Sequence, residues 1–256
     1  MLSPYHLLIL QSLYITTMEN RLKDLAKQYN HPKYFERDPI IFPRHFAKKY
    51  QNGEASLKDV EISALLCAHL AWGRREMIIR DCNRLMDEMD WRPYDYIAAG
   101  AYRCDMASLH RTIKWCEVAQ IMSRLKDYYN TSASMEGLSV QEIRERIFGR
   151  KPDPKAANKK IHMMRRWLVR NDNIVDLGVW ETISPAELII PLDVHVHRNA
   201  LTLGITSRKS ADITTAMEIT DYLKTIFPGD PCIGDFALFA FSASEKISNF
   251  ELGENK

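Results

Sequence analysis

SLKDVEISALLCAHLAWG, residues 56–73, shows the signals of an amphipathic helix that recur along most of this chain. It begins with Ser56, followed three residues later by Asp59, a pair typical of a helix N-terminus where each side chain binds the other residue's backbone N–H group. Apolar residues then recur every three or four positions, as on one face of a helix. Gly73 follows where such a helix should end. The stretch therefore predicts one amphipathic α-helix.

The same signals recur along the chain, whereas strand signals are weak. The one strand-like run, Leu188–Leu192, is interrupted by Pro191. We therefore predict an all-α fold with about ten to twelve helices. Further predicted helix starts and stops are Ser139 with Glu142, Ser184-Pro185 with Glu187, Gly149 and Gly204.

Composition excludes several classes of protein. The 256-residue chain has a net charge of only +2 and five scattered cysteines without a closely spaced pair. This spacing does not favour a disulfide framework, a zinc knuckle or an iron–sulfur cluster. We interpret the cysteines as buried thiols in a reducing cytosol and expect a cytoplasmic protein without metal or cofactor.

The N-terminal run, residues 1–17, is apolar but too short to span a bilayer, so we expect no membrane partner. Because Met18 directly precedes a good helix, we interpret residues 1–17 as a non-native or loosely ordered extension. We expect residues 18–256 to form one all-α domain of two lobes with a central cleft. One lobe covers about 50–165, and the other combines 18–49 with 166–256.

Positive charge is concentrated in residues 150–170, which hold eight Lys or Arg residues against one acidic residue, Asp153. Clustered cations suit a phosphate backbone, although such a run is also typical of a solvated helix face. Arg165, Arg166 and Arg170 are therefore candidate phosphate contacts.

The segment PLDVHVHR, residues 191–198, allows three interpretations. Asp-x-His-x-His resembles a metal-binding strand of amidohydrolases, but no histidine follows His197 to complete such a site. Asp193 is also well placed to cap a helix that ends at Gly204. A carboxylate at that position keeps its negative charge, because the helix dipole and backbone N–H groups stabilise it. It could then stabilise positive charge that develops on a sugar ring.

IPLDVHVHRNALTLGI resembles the segment that carries the essential aspartate of the helix-hairpin-helix DNA glycosylases, the endonuclease III and 8-oxoguanine glycosylase group. DPIIFPRHF, EISALLCAHLAWGRR and DPCIGDFALFAF also resemble a bacterial family, domain-of-unknown-function family 2400. The family resemblance covers most of residues 38–241, whereas the glycosylase resemblance is specific to about 191–204. Together they imply a DNA-repair glycosylase of two helical lobes, with Asp193 as the essential carboxylate.

The lysine nucleophile of a glycosylase with lyase activity is harder to place. The stretch before Asp193 has one glycine and no lysine, unlike the Gly-rich hairpin of these enzymes. The archaeal 8-oxoguanine branch carries its lysine further upstream, which points to Lys159 and Lys160. A helical wheel places Lys160 within the apolar arc, where burial and nearby cations lower the pKa of a lysine. The family pattern instead aligns with Lys159, so both stay candidates.

The predicted partner is damaged duplex DNA, and the predicted activity is base excision with cleavage through a lysine Schiff base. Arg74 and Arg75 follow a helix end, where they either bind phosphate or complement the helix dipole. One of His195 and His197 could reach the cleft. Arg198 completes the predicted DNA-binding set. The alternatives are a non-catalytic nucleic-acid-binding protein and, less favoured, a metal-dependent hydrolase.

Overall fold

The computed structural model describes residues 4–241, and it is predominantly helical as predicted. Its elements in chain order are α1 Pro4–Tyr29, α2 Ile41–Gln51, α3 Leu57–Leu70, α4 Arg75–Glu88, α5 Pro93–Ala99, β1 Ser108–His110, β2 Ile113–Lys114, α6 Trp115–Tyr129, α7 Val140–Glu142, α8 Lys159–Val169, α9 Val194–Thr202, α10 Ile213–Ile226 and α11 233–241. The helix α7 continues as a π-helical turn over Ile143–Ile147, and 3₁₀ turns cover Pro32–Tyr34 and Pro185–Glu187.

The chain divides into two compact units. One comprises residues 32–184, and the other combines residues up to 31 with residues from 185 onward. The sequence predicts lobe limits near residues 50 and 165. In the structure the unit begins at residue 32 and so includes α2, because α2 packs against α3.

The helix α3 is the centre of the 32–184 unit. Its N-terminus is the predicted reciprocal cap, in which the backbone N–H of Ser56 donates to Asp59 at 2.9 Å and Ser56 Oγ accepts from the Asp59 backbone. Every residue from Val60 to Leu70 is buried, and α2, α4, α5 and α8 pack around the helix. The amphipathic helix expected from the sequence is therefore covered on all sides.

The buried Glu61 ties α3 to later parts of the chain. Its carboxylate accepts hydrogen bonds from the Tyr129 hydroxyl and the Trp180 indole, each at 2.7 Å, and from Ser134 and the backbone of Met135. Burial raises the pKa of Glu61, while these donors act in the opposite direction. One carboxylate thus holds the end of α6, the segment between α6 and α7, and the segment after α8 around the central helix.

The β1–β2 hairpin is an exception to the all-helical prediction. The strands pair antiparallel, with Ser108 opposite Lys114 and His110 opposite Ile113. The sequence lacks the Asn-Gly or Asp-Gly signal of a tight hairpin, and Arg111 instead takes the left-handed conformation with φ +53°. Buried His110 anchors the hairpin through hydrogen bonds to Asp81 and to the Trp72 carbonyl, both at 2.8 Å.

The helix α1 begins at Pro4, so residues 4–17 continue the helix predicted from Met18. They do not form the loosely ordered extension that the sequence suggested, and residues 1–3 lie outside the described part. Among residues 4–241, no helix combines the length and the apolar content needed to cross a membrane.

Of two further helix starts predicted from the sequence, one forms and the other does not. Ser139 and Glu142 form the predicted reciprocal cap, in which the Ser139 backbone N–H donates to the carboxylate at 2.8 Å. The start predicted at Ser184-Pro185 was wrong, because only a 3₁₀ turn forms. Residues 188–193 then form no regular secondary structure, and the Ile190 backbone N–H donates to the Thr220 hydroxyl at 3.2 Å.

Candidate functional site

The basic helix α8 supplies the lysines of the candidate site. It begins at Lys159, directly after Asn158, which has φ +44°. Its buried positions agree with the predicted apolar face and include Ile161, Met164, Trp167 and Leu168, while Met163 is half-buried. Lys160 lies in the first turn of this helix and is half-buried as well.

The Lys160 ammonium points back to the end of α3. It donates a hydrogen bond to the backbone carbonyl of His69 and lies 5.8 Å from the centre of the Trp72 ring. The last carbonyls of a helix have no partner inside the helix, so they readily accept a donor from outside. The end of α3 therefore supplies both a hydrogen bond and a largely apolar surface to this amine.

Burial, together with repulsion from Arg150 and Lys159, lowers the pKa of Lys160 to about 8. These are the two causes that the sequence predicted for a lysine directed into an apolar, basic environment. Within residues 4–241, no carboxylate forms an ion pair with Lys160 or Arg150 to offset this repulsion. Lys160 therefore gives up its proton at a lower pH than an ordinary lysine does.

Two neighbouring pockets lie within the 32–184 unit and share part of their walls. The smaller has a volume of about 270 Å³ and the larger about 460 Å³. Both are lined by His69, Phe148, Arg150 and Lys160. The Lys160 side chain therefore stands where the two pockets adjoin.

The two pockets differ in their remaining lining. Ala156 and Ile161 line the smaller pocket together with Lys159, whereas the larger is lined by polar residues that include Gln120 and Arg124. Glu117 is the one acidic residue that lines either pocket among the residues described, and its carboxylate accepts a hydrogen bond from the Lys114 backbone. The pockets therefore combine apolar surface with an excess of positive charge.

Two arginines that line the larger pocket, Arg124 and Arg150, lie next to Gly149. It has φ +62°, as predicted for a residue that ends a helical turn, and a Cβ atom at this position would lie 2.4 Å from Cζ of Arg124. The bare backbone lets the Arg124 guanidinium lie against the chain. Arg150 follows directly, with its guanidinium 5.9 Å from the Phe148 ring centre. Any larger residue at 149 would strain the backbone and displace the Arg124 guanidinium.

His69 is a site residue that the sequence pattern assigned only to the apolar face of α3. Its ring lies 5.1 Å from the ring of Phe148 and is 6% exposed. Burial and then the charges of Lys160 and Arg150 lower the pKa of His69 to about 3. The imidazole is therefore neutral near pH 7, and its Nδ1 has no hydrogen-bond partner in the described part of the chain.

The predicted phosphate contacts of α8 need correction. Arg166 and Arg170 are buried, and both guanidiniums are ion-paired with the buried carboxylate of Asp176. Arg170 also donates to Asp172 at 3.1 Å. Buried cations with such partners hold the fold and are not available to a phosphate backbone. Arg165 is half-buried and donates to the Leu138 carbonyl at 3.0 Å.

The other predicted DNA-binding arginines are exposed but do not line either pocket. Arg74 directly precedes α4 and Arg75 is its first residue, so both lie at the start of a helix and not in the last turn of α3, where they would complement its dipole. Arg75 donates to the Tyr34 carbonyl at 3.4 Å. Arg198, on α9, is exposed and lies 3.2 Å from Nδ1 of His195.

In the other unit, Asp193 caps α9 as predicted. One carboxylate oxygen accepts hydrogen bonds from the backbone N–H groups of His195 and Val196, each at 2.9 Å, and Gly204 follows the helix. His195 is exposed, whereas His197 is buried and donates from Nε2 to the Arg208 carbonyl at 2.8 Å. Since the two histidines take such different environments, they do not form the paired metal ligands of an amidohydrolase.

Within residues 4–241, no three His, Cys, Asp or Glu side chains are grouped so that they could hold a metal ion.

The structure brings together Lys159, Lys160 and Arg150 of the basic segment at the two pockets, and His69, Phe148 and Arg124 from other elements join them there. Sequence reasoning missed these three because their role depends on tertiary packing and on no local motif.

Comparisons with known proteins give one match. A search of the curated proteins found no match, and a search of the solved structures found none either. The family model described as "Protein of unknown function (DUF2400)" matches residues 38–150 and 142–244, which together cover most of the chain. The chain therefore belongs to this family, as its sequence resemblance had indicated.

Proposed function

We propose that this protein is a DNA glycosylase with associated lyase activity and that Lys160 is its nucleophile. The observation that supports this most is the Lys160 amine, which stands where two pockets adjoin and has its pKa lowered to about 8. At pH 7.5, a group with that pKa is neutral in roughly a quarter of the molecules. A nucleophilic lysine needs this neutral form.

The proposed reaction begins when Nζ of Lys160 attacks C1′ of a damaged nucleotide. The bond from C1′ to the base breaks, and the base leaves with the proton that the amine gives up. The sugar ring then opens, its oxygen takes a proton from water, and a protonated Schiff base joins Nζ to C1′. Lys159 stays the alternative nucleophile, because the family resemblance aligns with it.

The pockets offer suitable surfaces for such a nucleotide. Phe148 and Ile161 give the smaller pocket apolar surface for an unstacked base, and Arg124 and Arg150 give the larger pocket positive charge for phosphate. The glycosylase resemblance implies that Asp193, which caps α9, stabilises the positive charge on the sugar.

Borohydride trapping tests the proposal. The protein is incubated with duplex DNA that contains an abasic site or 8-oxoguanine, and reduction of a Schiff base would leave a covalent adduct. We expect an adduct with the wild type and with Lys159→Gln, none with Lys160→Gln, and about a hundredfold slower formation with Asp193→Asn. Loss of the adduct in Lys159→Gln alone would move the nucleophile to Lys159.

The main alternative is a non-catalytic nucleic-acid-binding protein, which the excess of positive charge at the pockets also supports. It predicts salt-sensitive binding of the same duplexes with no adduct from either lesion. That outcome would refute the glycosylase proposal and retain only the binding function.

A further inference from the structure

The cysteines of the described chain include two pairs in different environments. The Sγ atoms of Cys104 and Cys116 lie 2.7 Å apart; Cys104 is exposed and Cys116 is half-buried. We name these two the surface cysteine pair. Cys67 and Cys82 also contact each other through a hydrogen bond, but both are fully buried. The sequence expectation of buried thiols therefore holds for this buried cysteine pair and for Cys232 but is wrong for the surface cysteine pair.

The backbone around the surface cysteine pair already holds its two segments together. The Cys116 backbone N–H donates to the Asp105 carbonyl at 3.1 Å, and that of Trp115 donates to Ala107 at 3.2 Å. The Arg103 guanidinium also stacks on the Trp115 ring at 4.4 Å. Because these contacts flank both cysteines, the two sulfur atoms need little backbone movement to bond.

We propose that Cys104 and Cys116 form a modification site, at which a small-molecule disulfide converts the two thiols reversibly into an intramolecular disulfide. The proposal rests on the contact between the sulfur atoms, the exposure of Cys104 and the backbone contacts on either side. It does not depend on the proposed lyase activity.

The exchange is balanced with oxidised glutathione as the oxidant. The Cys104 thiolate attacks one glutathione sulfur, which releases one glutathione and leaves a mixed disulfide on Cys104. The Cys116 thiolate then attacks the Cys104 sulfur and releases the second glutathione. The protein loses two electrons and two protons, and the two glutathione thiols gain them.

The disulfide would close a loop that contains the β1–β2 hairpin and would fasten it to the first turn of α6. The next turns of α6 carry Glu117, Gln120 and Arg124, which line the larger pocket. Such a crosslink restricts the unfolded chain more than the folded one. We therefore expect the urea midpoint of the oxidised protein to be higher than that of the reduced protein.

The test incubates the full-length native protein with oxidised glutathione, blocks the remaining thiols with an alkylating reagent and maps the peptides by mass spectrometry. We expect a linked peptide that joins Cys104 to Cys116, reversal by dithiothreitol, and a rate at least tenfold faster than any crosslink between Cys67 and Cys82. In Cys116→Ser, glutathione should instead accumulate on Cys104, and the urea midpoint should no longer respond to the oxidant.

The buried cysteine pair is the internal control, since it has the same sulfur chemistry without exposure. The proposal would be overturned if both surface thiols stay alkylatable, if wild-type Cys104 keeps glutathione without crosslinking, or if Cys67 and Cys82 are oxidised first.

Discussion

At the scale of single residues, the environment of one amine distinguishes Lys160 from its neighbour Lys159. The helical wheel identified Lys160 from the position of apolar residues around α8, and the structure adds the carbonyl of His69 and the ring of Trp72. The wheel could locate the apolar face because that face is a property of one helix. It could not find His69 or Phe148, because these come from other elements.

The lowered pKa of Lys160 predicts how its reactivity changes with pH. The neutral amine is scarce well below pH 8 and abundant well above it, so the rate of reductive methylation at Lys160 should rise with pH, reach half its maximum near pH 8 and level off about one pH unit higher. Methylation with ¹³C-formaldehyde, followed by NMR at each pH, measures this directly. A rate that is still rising steeply at pH 10 would contradict the prediction.

Removal of a neighbouring cation should move that profile. Arg150 repels the ammonium form of Lys160, so Arg150→Gln should raise the pKa of Lys160 toward its ordinary value and shift the methylation profile to higher pH. Arg74→Gln serves as the matched control, because Arg74 is exposed and lines neither pocket. Equal shifts in the two variants would show that Arg150 does not act on Lys160 directly.

At the scale of elements, local signals predicted the caps, but tertiary contacts determined which side chains are buried. Ser56 with Asp59 and the cap at Asp193 formed as expected, because a cap needs only residues within one turn. The burial of Arg166 and Arg170 was not predictable, since it depends on Asp176, which lies beyond the end of α8.

Glu61 provides a test of how the central helix is held. Glu61→Ala would leave the buried donors of Trp180, Tyr129 and Met135 without their acceptor and would open a cavity. We expect a loss of about 3–5 kcal/mol in the free energy of unfolding, measured with urea. Ser134→Ala removes one of these donors and the acceptor of the Glu136 backbone N–H, and it should cost only about 1–2 kcal/mol. Similar losses in both variants would argue against a shared role of the carboxylate.

The buried ion pair of Arg170 with Asp176 makes a second prediction. Arg170→Met removes a guanidinium whose side chain is 1% exposed and deprives the buried Asp176 carboxylate of one of its two arginine ion pairs among the described residues. The free energy of unfolding should fall by about 3–5 kcal/mol. Arg74→Gln, at an exposed position, should change it by no more than about 0.5 kcal/mol. A stable Arg170→Met variant with weakened DNA binding would instead restore Arg170 as a phosphate contact.

At the scale of the whole molecule, the helical class was predictable because caps and apolar periodicity recur along the chain, whereas the limits of the two units were not. These limits depend on which distant segments pack together, and no composition change in the sequence marks residues 31 or 184. The pockets could not be predicted from local sequence patterns either, because their walls combine the end of α3 and the start of α8 with the turn at Gly149.

The 32–184 unit should fold without the rest of the chain, because it contains the central helix, its buried Glu61 contacts and every residue that lines the two pockets. We expect a fragment of these residues to be helical by circular dichroism and to unfold cooperatively in urea. Lys160 should keep its lowered pKa in the same methylation assay. A fragment without cooperative unfolding would show that the unit depends on the remaining residues.

The other unit is assembled from the two ends of the described chain, and this has a consequence during protein synthesis. The ribosome makes α1 first, yet α9, α10 and α11 of the same unit follow only after residues 32–184. For that interval Leu22, Leu25 and Ala26, which are buried in the finished protein, have not yet met the later helices of their unit. Until the later helices appear, these apolar side chains lack the helices of their own unit, and transiently exposed apolar surface of this kind favours aggregation and chaperone binding.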